Sequence, residues 1–418
     1  MRPFFHVRLQ ACLLPTLVFV CAGSLSAQGL DFDAALRAAA QRAPTLQARA
    51  ASVQGSKALQ TSAAELPDPK LSVGIDSLPI NGPDRGSLTR DNFTQRQIGW
   101  TQDMPNKAKR SARTDAALAR TERDQALLQM ERLAVRREAG LAWLAAYFAD
   151  KRLQLFEQLV TQQGLMQDTA TAQLAAGKIA PADVTAIKLE VLALGDRRDE
   201  LLRDTHHAHA MLRRWTGEAP ATGLSGEAPR LAIDRAYLEA NLERSPEIAA
   251  LTPTRAMADA DLRESEATKN GDWSWSLRYG KRGPAYSDFV SAQLTFDLPL
   301  SVDKRQQPQV EAKQKELIRI DAERDEVIRR QKQDLETQLS ELDELSSKLN
   351  RLTQQTLSLT AQKTALTLAA YESGRDKLAA VLEARKQQTE TGLRALELQA
   401  RQSALQWRLN TIIPEQTP

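Results

Sequence analysis

Four long stretches with almost no glycine or proline constrain the fold of this 418-residue chain more than any other feature. They cover about residues 105–176, 180–216, 303–373 and 376–412. Apolar residues recur in them at helical spacing, which predicts α-helices. A helix of about 70 residues is on the order of 100 Å long. The sequence therefore predicts long packed helices, arranged as two helical hairpins over about 105–216 and 303–412.

A run of leucines within the third stretch indicates how these helices pack. Leu335, Leu342 and Leu349 are seven residues apart, and Leu345 and Leu352 lie on the same seam. This local heptad predicts knobs-into-holes packing against a neighbouring helix, as in a coiled coil.

Four shorter segments stand out because apolar and polar residues alternate in them. They are strands predicted at about 70–78, 92–104, 272–279 and 289–298. In "DWSWSLRY" (272–279) the alternation places Trp273, Trp275 and Tyr279 on one face of a strand. Two hairpins cannot form a substantial core alone. Either the helices or lipid must therefore cover the apolar face.

Strands of ~9–11 residues with outward apolar side chains and aromatic ends are typical of transmembrane barrels. Four strands cannot close a barrel, since the smallest barrels have about eight. The lipid interpretation therefore requires two, three or four copies of the chain. It predicts a membrane-facing aromatic belt formed by Trp100, Trp273, Trp275 and Tyr279. The alternative is that these aromatic side chains are buried under a helix.

Residues 1–27 resemble an export signal. Arg2 and Arg8 precede an apolar segment that is too short to span a bilayer. Small residues before Gln28 predict cleavage after Ala27. The protein is therefore expected to leave the cytoplasm.

The two cysteines of the chain, Cys12 and Cys21, both lie in this signal. Acylation of Cys21 would need small residues just before it, and Phe19 and Val20 are bulky, so we expect no lipid anchor. Removal of the signal leaves no thiol, and hence no disulfide and no thiolate metal site. It also brings the 56 basic residues close in number to the 53 acidic ones. That balance argues against a nucleic-acid partner.

The two halves of the chain resemble each other at three landmarks. "RAPTLQARA" (42–50) matches "RSPEIAALT" (244–252), "IGWTQDMP" (98–105) matches "AQLTFDLP" (292–299), and "LAAGKIAPADVTAIKLE" (174–190) matches "YESGRDKLAAVLEARKQ" (371–387). The landmarks keep their order at nearly one offset, which indicates a duplicated unit. The predicted repeats are residues 28–230 and 231–418, each with one strand pair before its long helical hairpin.

Together these features resemble the outer-membrane efflux protein (TolC-like) family. The resemblance rests on the signal, the duplicated halves, the strand pairs and the glycine at each hairpin tip, and it covers essentially all of the mature chain. "LPDPKLSVGIDSLPINGPD" (66–84) and "SLTRDNFTQRQIGWTQDMPNKAKR" (87–110) resemble more narrowly the branch that serves heavy-metal efflux pumps of the cobalt–zinc–cadmium and copper–silver type.

The resemblance implies a mainly α-helical homotrimer with a small membrane β-barrel. Each protomer would give four strands to a twelve-stranded barrel in the outer membrane of a Gram-negative bacterium, and its helices would join a long periplasmic tunnel. The channel would dock on a periplasmic adaptor and an inner-membrane, proton-driven pump of the RND type. It would export heavy-metal cations, catalyse no reaction and need no cofactor. The alternatives are a channel for organic compounds and a soluble periplasmic coiled-coil adaptor.

The helix tips carry the candidate site residues. Gly177 and Gly374 lie where one helix must reverse into another, and glycine allows the positive φ that such a reversal needs. The resemblance implies that the tips form the gate and contact the adaptor. It places Asp183 and Glu383 where the family has acidic residues at the inner end of the channel. This sequence departs from that pattern at Ala380, where close relatives of the family's archetype have an acid.

Two further residues complete the tip prediction. The resemblance implies that Tyr371 helps to lock neighbouring tip helices, by a hydrogen bond toward Asp183, and Arg375 is a nearby candidate partner. The alternative interpretation is that Asp183 and Glu383 are ordinary solvated charges on helix surfaces.

Other motifs do not indicate an enzyme or a metal site. No phosphate-binding glycine loop and no metal-spaced histidine pair with a base occurs in the sequence. His206, His207 and His209 cluster, but the mature chain has no further histidine to complete a site, so we predict no metal binding there.

Overall fold

A computed structural model of the chain describes residues 29–177, 179–217 and 223–414. The predicted export signal, residues 1–27, lies outside the described residues. The described chain is mainly helical and carries one small antiparallel sheet. This composition of elements confirms the predicted mainly α-helical class.

The elements of the described chain follow one another in an order that repeats between its halves. The helices are α1 (Phe32–Arg42), α2 (Pro44–Ala63), α3 (Lys107–Ala175), α4 (Pro181–Thr216), α5 (Arg235–Asn241), α6 (Pro246–Ala249), α7 (Leu251–Ala267), α8 (Val302–Arg351), α9 (Leu357–Glu372) and α10 (Leu378–Asn410). The strands are β1 (Lys70–Asp76), β2 (Gln95–Met104), β3 (Trp273–Lys281) and β4 (Phe289–Phe296). Each half thus has short helices, two strands and a long helical hairpin in that order. The duplication itself stays a prediction.

Helix α3 is the longest element, with 69 residues in one continuous run. Asn106 caps its first turn, because its side-chain Oδ1 accepts a hydrogen bond from the backbone N–H of Lys109 at 2.8 Å. The helix ends at Ala175, and α4 starts at Pro181, a residue whose fixed φ suits a first helical turn. The first predicted hairpin therefore has these two helices as its arms.

The second hairpin differs from the prediction in one detail. The sequence predicts a single helix over 303–373, but one π-helical turn, Leu352–Thr356, separates α8 from α9. A π-helical turn of this kind is a local insertion into an otherwise regular helix. The Thr353 hydroxyl also donates to the carbonyl of Leu349 at 2.9 Å. Helical periodicity continues on both sides of the insertion, so the sequence pattern did not reveal it.

The two strand pairs form one sheet with the order β1-β2-β3-β4, antiparallel throughout. The sequence predicts the two hairpins, whereas the central pairing of β2 with β3 joins the halves and became visible only in the structure. In that pairing Trp100 lies opposite Leu277, and Met104 lies opposite Trp273. Strands β1 and β4 are the two open edges of the described sheet.

The register places the apolar strand residues together on one side of the sheet, which we call the apolar face. Its members are Leu71, Val73, Ile75, Ile98, Trp100, Trp273, Trp275, Leu277, Tyr279, Val290, Ala292, Leu294 and Phe296. The face is open to the outside: Val73 is 78% exposed and Val290 is 65% exposed. Trp100, Trp273 and Tyr279 are also exposed and Trp275 is half-buried, so the alternative of burial under a helix does not hold. Separately, no helix within the described ranges is long and apolar enough to cross a membrane.

A cluster of aromatic rings forms the centre of the helical core. Phe32 of α1 makes edge-to-face contacts with Trp143 of α3 and Trp407 of α10, at centroid distances of 5.3 Å and 4.9 Å. Both indoles are buried and satisfied: Trp143 Nε1 donates to the carbonyl of Leu30 and Trp407 Nε1 to that of Arg137, each at 2.9 Å. The cluster therefore joins the first helix to the long helices of both halves.

A polar joint fixes the point where the sheet meets the helices. The Asp272 carboxylate, just before β3, accepts hydrogen bonds from the backbone N–H of Asn106 and from Lys109 Nζ, both at 2.9 Å. Asn106 Nδ2 in turn donates to the carbonyl of Ala267 at 2.9 Å. Burial acts to raise the pKa of Asp272, but the hydrogen bonds from Lys109 and Asn106 outweigh it, and the pKa lies below its usual range. The Asp272 carboxylate therefore stays ionised at neutral pH, and its hydrogen bonds hold the two halves of the chain together at the base of the sheet.

We expect Gly140→Ala to destabilise the aromatic core. A Cβ built on Gly140 would overlap the indole of Trp407. Overpacking of this kind costs about 1–3 kcal/mol, and it should lower the midpoint of thermal unfolding followed by circular dichroism.

Gly164→Ala on the same helix is the matched control, because a Cβ there meets no atom within 4 Å. This change should be neutral or stabilise the helix by up to about 1 kcal/mol. Equal midpoints for the two variants would contradict the proposed contact.

Candidate functional site

The tips of the two helical hairpins come together and enclose a groove. The first turns of α4 and α10 and the last turns of α3 and α9 surround a volume of 760 Å³, which we call the tip groove. Five of the six predicted tip residues line it, namely Gly177, Asp183, Tyr371, Gly374 and Glu383. Residues almost 200 positions apart in the sequence thus form one site. Whether the site is a gate stays a prediction.

Both hairpin tips reverse through glycine in the left-handed region. Gly177 has a φ of 70° and Gly374 a φ of 73°, values at which other residues are strained. At the second tip the backbone N–H of Arg375 donates to the carbonyl of Ala370 at 2.8 Å and so closes the end of α9. Arg375 does not line the groove, and its Nε donates to the hydroxyl of Ser373 at 3.1 Å. Its role as a partner of the gate residues stays a prediction.

The hydroxyl of Tyr371 has a different partner from the one expected. It accepts a hydrogen bond from Gln173 Nε2 of α3 at 2.6 Å, and the expected bond toward Asp183 does not form. Asp183 lies in the first turn of α4, and its Oδ2 is 3.4 Å from the backbone N–H of Ala180. A carboxylate at this position is attracted to the unpaired N–H groups of its own helix. Tyr371 therefore links α9 to α3 instead of α4.

Apolar contacts beneath the tip groove hold the helices together. Ala170 of α3 is fully buried against Val184 and Ile187 of α4 and against Leu378 and Leu382 of α10. Because these five side chains come from three helices, the two hairpins share one small core at their tips. Deeper in the same bundle, Leu335, Leu339 and Leu345 of α8 are buried against α10 and the short helices. Of the predicted heptad, Leu335 and Leu345 are buried and Leu342 is partly buried in this cluster, whereas Leu349 and Leu352 are half-buried outside it.

One ion pair bridges the two hairpins at the tip groove. Lys386 Nζ of α10 lies 2.8 Å from Glu190 Oε1 of α4, and both side chains are about one-third exposed. The hydrogen bond to Glu190 raises the pKa of Lys386, burial opposes it, and the charges of Glu190, Glu390 and Glu383 add to the rise. Lys386 is therefore fully charged at neutral pH. Sequence reasoning missed this pair, although Glu190 is two helical turns after Asp183 on the same helix face.

The charges around the tip groove have an acidic excess. Four carboxylates line it, those of Asp183, Glu190, Asp376 and Glu383, against the two ammonium groups of Lys377 and Lys386. Asp376 takes part although Ala380 does not carry the acid that the resemblance implies there. The predicted acidic character of the tip therefore has a source in four residues of this chain.

The histidine cluster lies on α4, away from the tip groove. His209 Nε2 is 2.9 Å from Asp150 Oδ1 of α3, so this side chain bridges the two arms of the first hairpin. His206 and His207 are exposed. Within the described ranges, no three His, Cys, Asp or Glu side chains converge in a way that could hold a metal ion.

The fold is similar to that of several solved structures. CusC, whose structures concern transmembrane channel formation, matches with a TM-score of 0.77 and 13% identity over 91% of this chain and 92% of that one. The outer-membrane channel OprN matches with a TM-score of 0.76 and 14% identity over 91% and 89%. The outer membrane protein VceC from Vibrio cholerae matches with a TM-score of 0.74 and 15% identity over 91% and 95%. No protein-family model and no curated protein sequence matches the chain.

The chain has the fold of outer-membrane channel proteins. The likeness spans nearly the whole length of both partners in each comparison, so it includes the sheet and both helical hairpins. It confirms a mainly α-helical fold with a small antiparallel sheet, as the TolC-like resemblance implied, while the trimer, the barrel and the duplication stay predictions. The neighbours are described as channels, and the absence of an enzymatic activity in this chain stays a prediction. They do not separate the heavy-metal branch from other channels.

We expect Lys386→Gln to loosen the tip groove. The change removes the ion pair with Glu190, and an exposed or half-exposed pair contributes up to about 1 kcal/mol. Amide hydrogen exchange in the second and third turns of α4 and α10, where the N–H groups are hydrogen-bonded within the helix, should accelerate by up to about fivefold, the factor that corresponds to about 1 kcal/mol.

Lys377→Gln is the control, since Lys377 also lines the tip groove but is exposed and makes no ion pair among the described residues. Exchange that rises equally in both variants would show that the Lys386–Glu190 pair does not hold the tips.

Proposed function

We propose that the chain is the outer-membrane exit duct of a tripartite, proton-driven efflux pump. The observation that carries this proposal is the exposed apolar face of the sheet on a fold shared with outer-membrane channels. Cover for the apolar face and closure of the sheet edges are two separate physical requirements that this fold must meet.

The first requirement is an apolar partner for the sheet. Thirteen residues on four adjacent strands form one continuous apolar surface, which a soluble protein does not leave in water. The apolar side chains alternate with polar ones that point to the opposite side, as they do in membrane barrel strands. The register places three polar residues on this side as well. Arg96 and Lys281 lie opposite each other at the hairpin-loop end, and Gln102 Nε2 donates to the carbonyl of Pro67 at 2.7 Å. Lipid is the partner that fits such a surface.

The second requirement is that the sheet edges be paired. In the hydrocarbon core the backbone N–H and C=O groups of an open strand edge have no hydrogen-bond partner. Among β-structures, only closed barrels therefore span a membrane. Strands β1 and β4 are the open edges, and the β4 edge of one copy can pair with the β1 edge of the next. Repetition of one head-to-tail contact closes a ring. Three copies give the twelve strands that we propose for the homotrimer.

The long helices then extend on the periplasmic side, away from the hairpin loops of the sheet. In the trimer they would form a tunnel whose inner end is closed by the tips, where Gly177, Tyr371, Gly374 and the Lys386–Glu190 pair hold the hairpins together. The exposed tips are the surface that a periplasmic adaptor and an inner-membrane RND pump would meet. Trp100, Trp273, Trp275 and Tyr279 would form the aromatic belt at the lipid boundary.

For the cargo we propose heavy-metal cations. The sequence resemblance of 66–84 and 87–110 to the heavy-metal branch supports this choice, and so does the acidic excess at the tip groove. Rings of carboxylates favour cations in channels. Organic compounds are the alternative cargo.

We expect Leu294→Arg to prevent assembly in the outer membrane. Leu294 lies on the apolar face and is 61% exposed, and an arginine at the bilayer midplane of a barrel costs about 2–4 kcal/mol. Gln293→Arg, one position away on the opposite face, should assemble normally. Outer-membrane fractionation and heat-stable trimers on gels distinguish the two. If the unmodified chain were found as a soluble monomer, that result would contradict the channel proposal.

A deletion strain should become sensitive to metals. We expect reduced growth on graded zinc, cobalt, cadmium, copper or silver, restored by the gene, and unchanged growth on dyes and detergents. Sensitivity to the organic compounds alone would contradict the proposed metal cargo but remain consistent with the proposed exit duct.

A further inference from the structure

The side of the sheet opposite the apolar face consists mainly of serine, threonine, glycine and glutamine with a few charged residues, and we call it the polar face. Its members within the strands are Lys70, Ser72, Gly74, Asp76, Gln95, Gln97, Gly99, Thr101, Asp103, Ser274, Ser276, Arg278, Gly280, Phe289, Ser291, Gln293 and Thr295. If the apolar face contacts lipid, as the proposed function requires, the polar face surrounds the water-filled interior of the barrel. Any role of this face in transport therefore rests on the proposed function.

Arg278 lies in the middle of the polar face among neutral neighbours. The register aligns Ser72, Gly99, Arg278 and Ser291 in one row across all four strands. The aliphatic stem of Arg278 runs over Gly99: its Cγ lies 3.5 Å and its Nε 3.8 Å from the point where a Cβ on Gly99 would be. These are ordinary van der Waals distances, and the atom that a Cβ on Gly99 would overlap is Ser72 Oγ, at 2.6 Å. The arginine stem therefore lies along the wall of the sheet, close to Gly99.

The other charged strand residues of this face have partners, whereas Arg278 has none. Lys70 Nζ pairs with Asp103 Oδ2 at 2.6 Å, near the helical end of the sheet. Asp76 Oδ2 accepts a hydrogen bond from Gln97 Nε2 at 3.0 Å, near the opposite end. Among the strand residues that the structure describes, Arg278 makes no ion pair and no hydrogen bond through its guanidinium group. Its positive charge is therefore uncompensated by the residues that the structure describes.

We propose that Arg278 sets a preference for anions in the membrane part of the pore. In the trimer three guanidinium groups would stand at one level of the barrel, around a lumen lined by serine, glycine, threonine and glutamine. A ring of arginines raises the local concentration of anions and lowers that of cations. The favoured solutes are anions, including anionic complexes of a metal, and this preference is opposite in sign to the acidic tip groove.

The reach of this charge depends on salt. The screening length is about 8 Å at physiological ionic strength and about 30 Å at 0.01 M. At physiological salt the ring therefore acts on solutes near the wall and leaves the centre of a wide lumen open. A bare cation can still pass along the axis, while an anionic solute is drawn to the wall.

A single cysteine can report the potential beside Arg278, because no residue in the described ranges is a cysteine. Ser291→Cys places a thiol directly opposite Arg278 on the polar face. The full-length trimer in outer membranes is treated with methanethiosulfonates that carry either a sulfonate or a trimethylammonium group. The ratio of the anionic to the cationic modification rate measures the local charge, and it does not depend on whether the tips are open.

We expect Arg278→Gln to lower this rate ratio about threefold at 0.1 M salt and by more at 0.01 M, as a charge about 5–6 Å away requires. Arg278→Lys should keep the ratio, because it keeps the charge. Thr295→Cys is the control on the same strand and face, four positions further along, where Arg278→Gln should leave the ratio nearly unchanged at 0.1 M salt.

Three other outcomes would contradict the proposal, each at a different step. A reactive Ser291→Cys whose rate ratio is the same with and without Arg278→Gln would overturn the role of Arg278 and leave the duct standing. An equal loss in Arg278→Lys would show that charge is not the cause. An unreactive Ser291→Cys beside a reactive Val290→Cys on the apolar face would overturn both this role and the proposed orientation of the sheet.

Discussion

The constraint on which the structure depends is the need to cover one face of a four-stranded sheet. Every strand contributes apolar side chains to that face, and none of the long helices packs over them. The central pairing of β2 with β3 makes the requirement stronger, because it merges two small faces into one surface. Under the proposed function this surface contacts lipid, and the opposite face of the sheet then lines the lumen.

The polar joint at Asp272 and Asn106 transfers that orientation to the helices. It links the β2–α3 junction of the first half to the α7–β3 junction of the second half. The links are hydrogen bonds from Asn106 and Lys109 to the Asp272 carboxylate and to the backbone carbonyl of Ala267. The aromatic cluster of Phe32, Trp143 and Trp407 then ties α1, α3 and α10 into one body. Sheet, joint and aromatic core thus set the direction in which the hairpins extend, and with it the position of the tips.

The tips combine a small apolar core with polar contacts of modest strength. Leu378 and Leu382 pack against Val184 and Ile187, while the Tyr371–Gln173 hydrogen bond and the Lys386–Glu190 ion pair lie at the margin of the same core. Contacts of this size can be exchanged at low cost, as the proposed opening of the tips on docking of a partner would require. The acidic tip groove and the proposed arginine ring would place opposite charges at the two ends of the conduit.

The sequence by itself determined the elements and their polarity. The helical runs, the four alternating strands, the reversing glycines at 177 and 374 and the aromatic residues of the apolar face all depend on local periodicity or on one backbone angle, and such properties are present in short stretches of sequence. Tertiary structure decided how distant segments meet. The β2–β3 pairing, the partner of Tyr371, the Lys386–Glu190 pair and the placement of Arg278 over Gly99 each join residues from different elements. No local pattern specifies such contacts, because they depend on the relative position of whole helices and strands in three dimensions.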